Sequence, residues 1–252
     1  MGRSVSEIRE LLNSAPPEEL EKIIGSISDD PRKAVQQLVS AVEKRRKKYI
    51  LELQRVEEMC AFEKTYGSFS VICGIDEVGR GPLAGPVAAG AVILPADCRI
   101  PYINDSKKLS EKKREELNMI IREKAVTFAV AFISPERIDE INILQATYEA
   151  MREAVSLLDP QPGLLLNDAV TIPGIEIRQV PIIKGDAKSQ SIAAASIIAK
   201  VARDHLMDAY DRQYPEYGFA SNKGYGTAEH ISALKKYGPC PIHRRTFIKN
   251  FI

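Results

Sequence analysis

Apolar and polar positions change their period near residue 70. Before it the spacing is helical: Val5, Ile8, Leu11 and Leu12 recur at helix intervals, with Ser4 or Ser6 available as a cap. Pro16 and Pro17 break that helix ahead of a second short one. Asp29-Asp30-Pro31 opens a third, with proline at a first-turn position, predicted to run from about Arg32 to Tyr66. Gly67-Ser68 then resets the pattern. From Val71 to Ile75 a short apolar run predicts a buried strand, and Val87 to Leu94 a second, stopped by Pro95. Residues 110–124 read as a helix capped by Ser110, and Val126 to Ile133 as a third strand. Ser134-Pro135-Glu136 and Asn142 start further helices, the second reaching about Leu158. Leu164-Leu165-Leu166 is a fourth strand ending in Asn167-Asp168, and Ile175 to Ile183 a fifth. A long helix follows from about Ser189 to Tyr210, and a last one over about Ala228 to Lys236. Three strands followed by alternating helix and strand imply a mixed α/β sheet with helices on its faces.

Acidic residues fall where such a sheet builds sites. Asp76, Asp168 and Asp186 sit at strand ends or just beyond them, and strand ends at a crevice are where open α/β sheets bind ligands. Asp76 and Glu77 are adjacent, and consecutive strand residues point to opposite faces. Both can serve one site only if the strand bends or ends there, which Gly79 and Gly81 permit. Each acid also has a plainer meaning: a charged strand exit, a solvated turn, or a helix-capping group ahead of the 189–210 helix. Convergence would separate the two meanings. Four grouped carboxylates repel one another and hold protons too tightly unless cations neutralise them. Oxygen-only ligands suit Mg²⁺ or Mn²⁺ rather than zinc, and two such ions ~4 Å apart can drive an in-line phosphodiester displacement.

Composition adds little until it is divided along the chain. The 252 residues are 44% hydrophobic and 27% charged, ordinary for a soluble globular protein, with net charge +1. Residues 1–69 carry 12 basic and 12 acidic side chains, residues 70–187 carry 13 and 17, and residues 188–252 carry 10 and 5. An acidic centre followed by a basic end fits a carboxylate cluster beside a phosphate-binding surface, though scattered surface charge would look the same. The four cysteines show no paired spacing, Arg3, Glu7, Arg9 and Glu10 interrupt any apolar run so that no signal peptide is expected, and no run approaches the ~18 apolar residues of a membrane span. The expected location is the reducing cytoplasm. The glycines at 79–85 lack the GxxxxGK[ST] arrangement of a phosphate-binding loop, which disfavours a nucleotide enzyme of that kind. A non-catalytic nucleic-acid-binding module remains a rival on these grounds.

Four segments together are more specific. Gly74 to Pro86, Asn104-Asp105-Ser106-Lys107-Lys108-Leu109, Lys184 to Asp204, and Asn222-Lys223-Gly224-Tyr225-Gly226-Thr227 with His243-Arg244 resemble the ribonuclease HII family, in order, across about residues 70–247. The resemblance implies a ribonuclease H-like mixed sheet flanked by helices as a catalytic domain over 70–252. Residues 1–69 would form a helical N-terminal extension that matches none of these motifs. It implies a catalytic, metal-binding tetrad of Asp76, Glu77, Asp168 and Asp186 holding two divalent ions, Mn²⁺ or Mg²⁺, with Asp76 shared. It gives recognition of the ribonucleotide to Gly79, Arg80, Gly81 and Tyr225. The substrates implied are RNA–DNA hybrids and DNA duplexes carrying ribonucleotides, cut on the 5′ side to leave a 3′-hydroxyl and a 5′-phosphate. That recognition is physically reasonable, because the 2′-hydroxyl both donates and accepts hydrogen bonds. The tyrosine ring can stack beneath the adjoining deoxyribose. Lys107, Lys108, Lys184, His243 and Arg244 are candidate phosphate contacts, which position a duplex without reading its sequence. His205 and His230 are read as structural. Arg80 and the Tyr225 motif favour type HII over type HIII. A monomer without membrane contact is expected, and the basic run 44–48 is expected to add duplex affinity.

Overall fold

The computed structural model describes residues 3–17, 19–69 and 71–252. The chain forms two compact units that divide between Glu57 and Glu58. The expected boundary at 69/70 falls on Ser70, outside the described residues.

The first unit is helical. Helix α1 (Val5–Ser14) starts at a capping box, in which Ser4 and Glu7 satisfy each other's backbone amides. Helices α2 (Leu20–Ile27) and α3 (Lys33–Met59) follow, and Ile8, Leu12, Leu20, Ile27, Val35 and Val42 bury a small apolar core. The basic run lies on α3. Arg45 donates to the Leu12 carbonyl at 2.6 Å and Arg46 pairs with Glu21, while Lys44, Lys47 and Lys48 are exposed.

The second unit begins with the end of α3 and helix α4 (Ala61–Thr65), so the single helix predicted to Tyr66 is two, separated by a non-helical Cys60. A five-stranded sheet follows, with spatial order β3 (Thr127–Ile133), β2 (Val87–Ile93), β1 (Ile72–Val78), β4 (Leu164–Asp168) and β5 (Arg178–Ile182). The first three strands pair antiparallel; β1–β4 and β4–β5 are parallel. Strand alternation sends Cys73, Ile75, Val87, Ala89, Ala91 and Ile93 to one face, where they pack on helix α6 (Pro135–Ser156) through Ala146, Ala150, Met151 and Ala154. Asn142 breaks α6 with φ 67°, and its side chain caps the second segment by accepting from Leu144 and Gln145.

The opposite face carries helices α5 (Glu111–Lys124) and α7 (Gln190–Gln213). Helix α7 lies directly on β1 and β2. A Cβ on Gly74 would stand 2.1 Å from the Ser191 backbone, and one on Gly90 2.4 Å from the Ala195 carbonyl oxygen. The small residues Ala193, Ala194 and Ala195 are fully buried there, so sequence and close approach agree. Glu63 of α4 accepts from Ser189 Oγ at 2.6 Å and from the Ser191 amide at 3.0 Å, capping α7 from a distant part of the chain. Helices α8 (Phe219–Asn222), α9 (Ala228–Tyr237) and α10 (Arg245–Ile248) complete the unit. Helices α8 and α10 are four residues each, too short for a periodic signal to announce. No helix among the described residues is long and apolar enough to cross a membrane.

Candidate active site

Parallel register brings the first two acids together. Ile75 pairs with Asn167 where the β1–β4 ladder ends, so the next residues, Asp76 and Asp168, stand side by side at the carboxyl ends of neighbouring strands. Asp76 is 5% exposed and faces α7, where Ser196 lies close enough to hold its pKa down, and its Oδ1 accepts from the Glu77 amide at 2.7 Å. Glu77 remains paired to β2 but lies beyond the last β1–β4 pair, which leaves its side chain room at the sheet end. Asp186 arrives from the 3-10 turn Gly185–Ala187 just before α7. That turn is tied to β4 by the Gly185 amide, which donates to Asp168 Oδ1 at 2.7 Å.

The electrostatics report the same grouping. Burial, then the Glu77 charge, push the Asp76 carboxyl well above the usual range; Asp168 adds to this and Ser196 opposes it. Burial, then Asp105 and Asp168, raise Asp186. Burial works against the Lys107 ammonium, yet the pull of Asp76, Asp105 and Asp186 keeps its pKa above the ordinary lysine value. Asp105 is a fifth carboxylate, close enough to Asp186 to raise its pKa, and caps the turn Ser106–Lys108 by accepting from the Lys107 amide at 2.9 Å. Ser106 Oγ lies 2.8 Å from Ser196 Oγ, joining that turn to α7 beside Asp76. Neither Asp105 nor Ser196 was singled out from the sequence. Asp105 did sit in a segment that carried the resemblance, whereas Ser196 was hidden in a run of small helix residues.

The donor set is all carboxylate oxygen, which suits a hard divalent cation. Among the described residues no three His, Cys, Asp or Glu side chains already stand in a metal-holding arrangement. Three of the four expected ligands are engaged elsewhere: Asp76 by the Glu77 amide at 2.7 Å, Asp168 by the Gly185 amide, and Glu77 by Arg80 at 3.2 Å. The Glu77–Arg80 pair has an arginine 44% exposed, the kind of ion pair worth about 0–1 kcal/mol. It is easily exchanged for a cation.

Beside the acids, residues 79–86 form a loop stapled from inside. Arg203 and Arg244 are both fully buried. Arg244 donates to the carbonyls of Gly79, Arg80 (2.8 Å) and Gly85 (3.0 Å). Arg203 donates to those of Pro86 (2.9 Å), Ala84 (3.2 Å) and Lys223 (2.9 Å). Burial lowers the Arg203 pKa to about 10; burial and then Arg203 lower Arg244 to about 9. Gly79 has φ +87°, and a Cβ there would stand 2.2 Å from Arg203 Nε. Gly224 closes the loop from the other side: its carbonyl accepts from the Leu83 amide at 2.8 Å, and a Cβ on it would meet the Ala84 oxygen at 2.3 Å. Tyr225, 44% exposed, lies over Gly81, where a Cβ would find only the tyrosine ring at 3.7 Å.

Two expected phosphate contacts are overturned. Arg244 is spent on the loop, and His243 is 1% exposed inside a closed chain of bonds. The Cys240 amide donates to His243 Nδ1 at 3.1 Å, so His243 carries its proton on Nε2 and gives it to His230 Nε2 at 3.0 Å. His230 Nδ1 then donates to the Tyr225 carbonyl at 2.8 Å. Burial lowers both rings' pKa, His243 to about 4 with His230 contributing. His230, read as structural, thus anchors the tyrosine segment. His205 is remote from this network and pairs with Glu115 at 2.7 Å. Lys107, Lys108, Lys184 and Arg80 are exposed, with Lys107 beside the carboxylates.

An open mixed sheet with its acids at the parallel strand ends is the ribonuclease H-like fold. A solved ribonuclease H2 from Pyrococcus horikoshii shares it over 70% of this chain and 93% of its own, at 29% identity and TM-score 0.58. The chain belongs to the ribonuclease HII family, whose model matches residues 73–250. A ribonuclease HII from Lachnoclostridium phytofermentans is 63% identical over 88% of this chain and 87% of its own. Another, from Clostridioides difficile, is 50% identical over 99% of both. Residues 4–67 match the family's own N-terminal domain model. The leading helices, read from sequence as foreign to the family's motifs, are therefore a family feature.

Proposed function

We propose that the chain is an endoribonuclease that hydrolyses the RNA strand of RNA–DNA hybrids and cuts 5′ of ribonucleotides embedded in or joined to duplex DNA. The observation that carries this reading is one crevice holding both a carboxylate cluster and a rigid glycine turn roofed by an exposed tyrosine. Asp76, Glu77, Asp168 and Asp186 would hold divalent ions, the cofactor class of this family, with Mn²⁺ and Mg²⁺ both compatible with oxygen ligands. Bound there, such ions supply water activation and stabilise the leaving 3′ oxygen. Asp76, buried and crowded by the charges of Glu77 and Asp168, gains when its charge is neutralised. Asp105 holds the Lys107 turn and borders Asp186, so it sets the cluster's outer edge. Lys107, Lys108 and Lys184 present exposed ammonium groups to phosphates on either side of the cut. The Arg80 and Gly81 amides reach the 2′-hydroxyl, and Tyr225 stacks on the next sugar.

The test is cleavage of a DNA duplex with one embedded ribonucleotide, with Mg²⁺, with Mn²⁺ and with chelator. Cutting at the 5′ side of the ribonucleotide in either metal, and none in chelator, is expected. An intact duplex in both metals would remove the reading, and cutting only of continuous hybrids would narrow it.

A further inference from the structure

Two buried arginines that pair with no carboxylate among the described residues are an expensive way to close a surface loop. Each guanidinium is fully buried, and its bonded acceptors are peptide carbonyls. They also repel each other. Because they touch no solvent, they can contact neither phosphate nor sugar. What they do fix is direction. In a planar trans peptide the C=O and N–H point opposite ways. Arg244 draws the Gly79 and Arg80 carbonyls inward, so the Arg80 and Gly81 amides of the same peptide units point outward. Neither amide has an acceptor among the described residues. Arg203 ties the same loop to the tyrosine segment through Lys223, and His230 holds the Tyr225 carbonyl.

We propose that Arg203 and Arg244 are positioning residues for ribonucleotide selection: they aim the Arg80 and Gly81 amides and set them against Tyr225. This rests on the ribonuclease reading above. Only arginine fits the task, since its rigid fork reaches three carbonyls at once while a lysine ammonium is a point donor. The consequence is a loss of selectivity rather than of hydrolysis as such, because neither residue contacts the carboxylates that would hold the ions.

The experiment measures kcat/KM for wild type, Arg244→Lys and Arg203→Lys on two substrates: a duplex with one embedded ribonucleotide, and a continuous RNA–DNA hybrid. The ratio of the two values should fall about tenfold or more in either variant, since both substrates carry the 2′-hydroxyl but only the first sets a deoxyribose under Tyr225, and that distinction needs the amides and the ring held in register. Loss of fold or of metal sites would lower both values together and leave the ratio alone. An unchanged ratio in folded variants overturns the proposal. If wild type itself fails on the single-ribonucleotide duplex, the functional reading falls, and this proposal with it. If neither variant folds, amide chemical shifts of the wild type decide. Adding the single-ribonucleotide duplex without metal should move Arg80 and Gly81, and the all-DNA duplex should not. Equal shifts with both duplexes overturn the proposal.

Discussion

Asp76 and Arg244 are both buried charges in one crevice, and the protein treats them oppositely. Around Asp76 like charges accumulate: Glu77 and Asp168 raise its pKa, against the weaker opposition of Ser196, the Glu77 amide and the nearby Lys107 ammonium. Around Arg244 three carbonyls are supplied, and the loop it holds is closed again by Arg203 and Gly224. The acidic end is left in deficit, to be completed by a cation; the recognition loop is completed by the chain itself. Chemistry that recruits an ion wants the first arrangement, and discrimination of one hydroxyl wants the second.

The largest effect that would break this contrast is at Asp76. We expect Asp76→Asn to lower cleavage by about 10³-fold or more, since a lost metal ligand removes several kcal/mol of transition-state stabilisation. The same variant should melt at a higher temperature than wild type in chelator at neutral pH, because a repelling charge has gone. A cleavage assay and a thermal melt check the two parts. A lower melting temperature would mean that Asp76 is structurally satisfied and that the deficit is not there.

Next come two glycines, two residues apart. Gly79→Ala forces a positive φ on alanine and a Cβ into Arg203, so it should destabilise by roughly 2–4 kcal/mol in a denaturant titration. Gly81→Ala meets nothing closer than 3.7 Å and should stay within about 0.5 kcal/mol of wild type. Its activity on a single embedded ribonucleotide should nevertheless fall by about tenfold or more, because the added methyl occupies the space a sugar must enter. Full activity in Gly81→Ala would separate that turn from substrate contact.

Acid should pull the two regions in opposite directions. Asp76 and Asp186 have folded pKa values raised above the carboxylate value of 3.8. Their contribution to stability is therefore complete below that value and is lost as pH rises through the raised ones. His243 is lowered from 6.5 to about 4, so its contribution is present above 6.5 and is lost as pH falls through about 4. In chelator, Asp76→Asn removes one compensating group, so it should lose more stability than wild type between pH 6.5 and 4. Parallel melting profiles for the two proteins would contradict the assignment.

Much of this contrast was readable from the chain, but unevenly. The strands announced themselves through Val71–Ile75 and Leu164–Leu166, and the acids at their ends followed. Register did not: that Asp76 stands beside Asp168 depends on Ile75 pairing with Asn167, which no local pattern specifies. Arg244 and His243 were legible as a conspicuous pair and were placed on the wrong side of the surface. A basic side chain read from sequence is assumed to be solvated, and only the six backbone carbonyls gathered by Gly79–Pro86 and Lys223 make burial tolerable. Ser196 was invisible for a similar reason, since a serine among alanines on a packed helix carries no signal until an acid is set opposite it.

The smallest expected effect lies away from both regions, in the basic run of α3. Two of its five side chains are used within the first unit, Arg45 on Leu12 and Arg46 on Glu21, which leaves Lys44, Lys47 and Lys48 for phosphate. A chain starting at Ser68 would also remove Glu63 and with it the cap on α7, so a loss of activity there would say nothing about duplex binding. A start at Glu58 keeps that cap. We expect this shorter chain to retain turnover at saturating duplex and to bind more weakly. The slope of log affinity against log salt should become shallower by up to about 0.9 per lysine lost. Unchanged affinity and slope would confine duplex binding to the second unit, and a collapse of turnover would show that the first unit supports the carboxylate cluster as well.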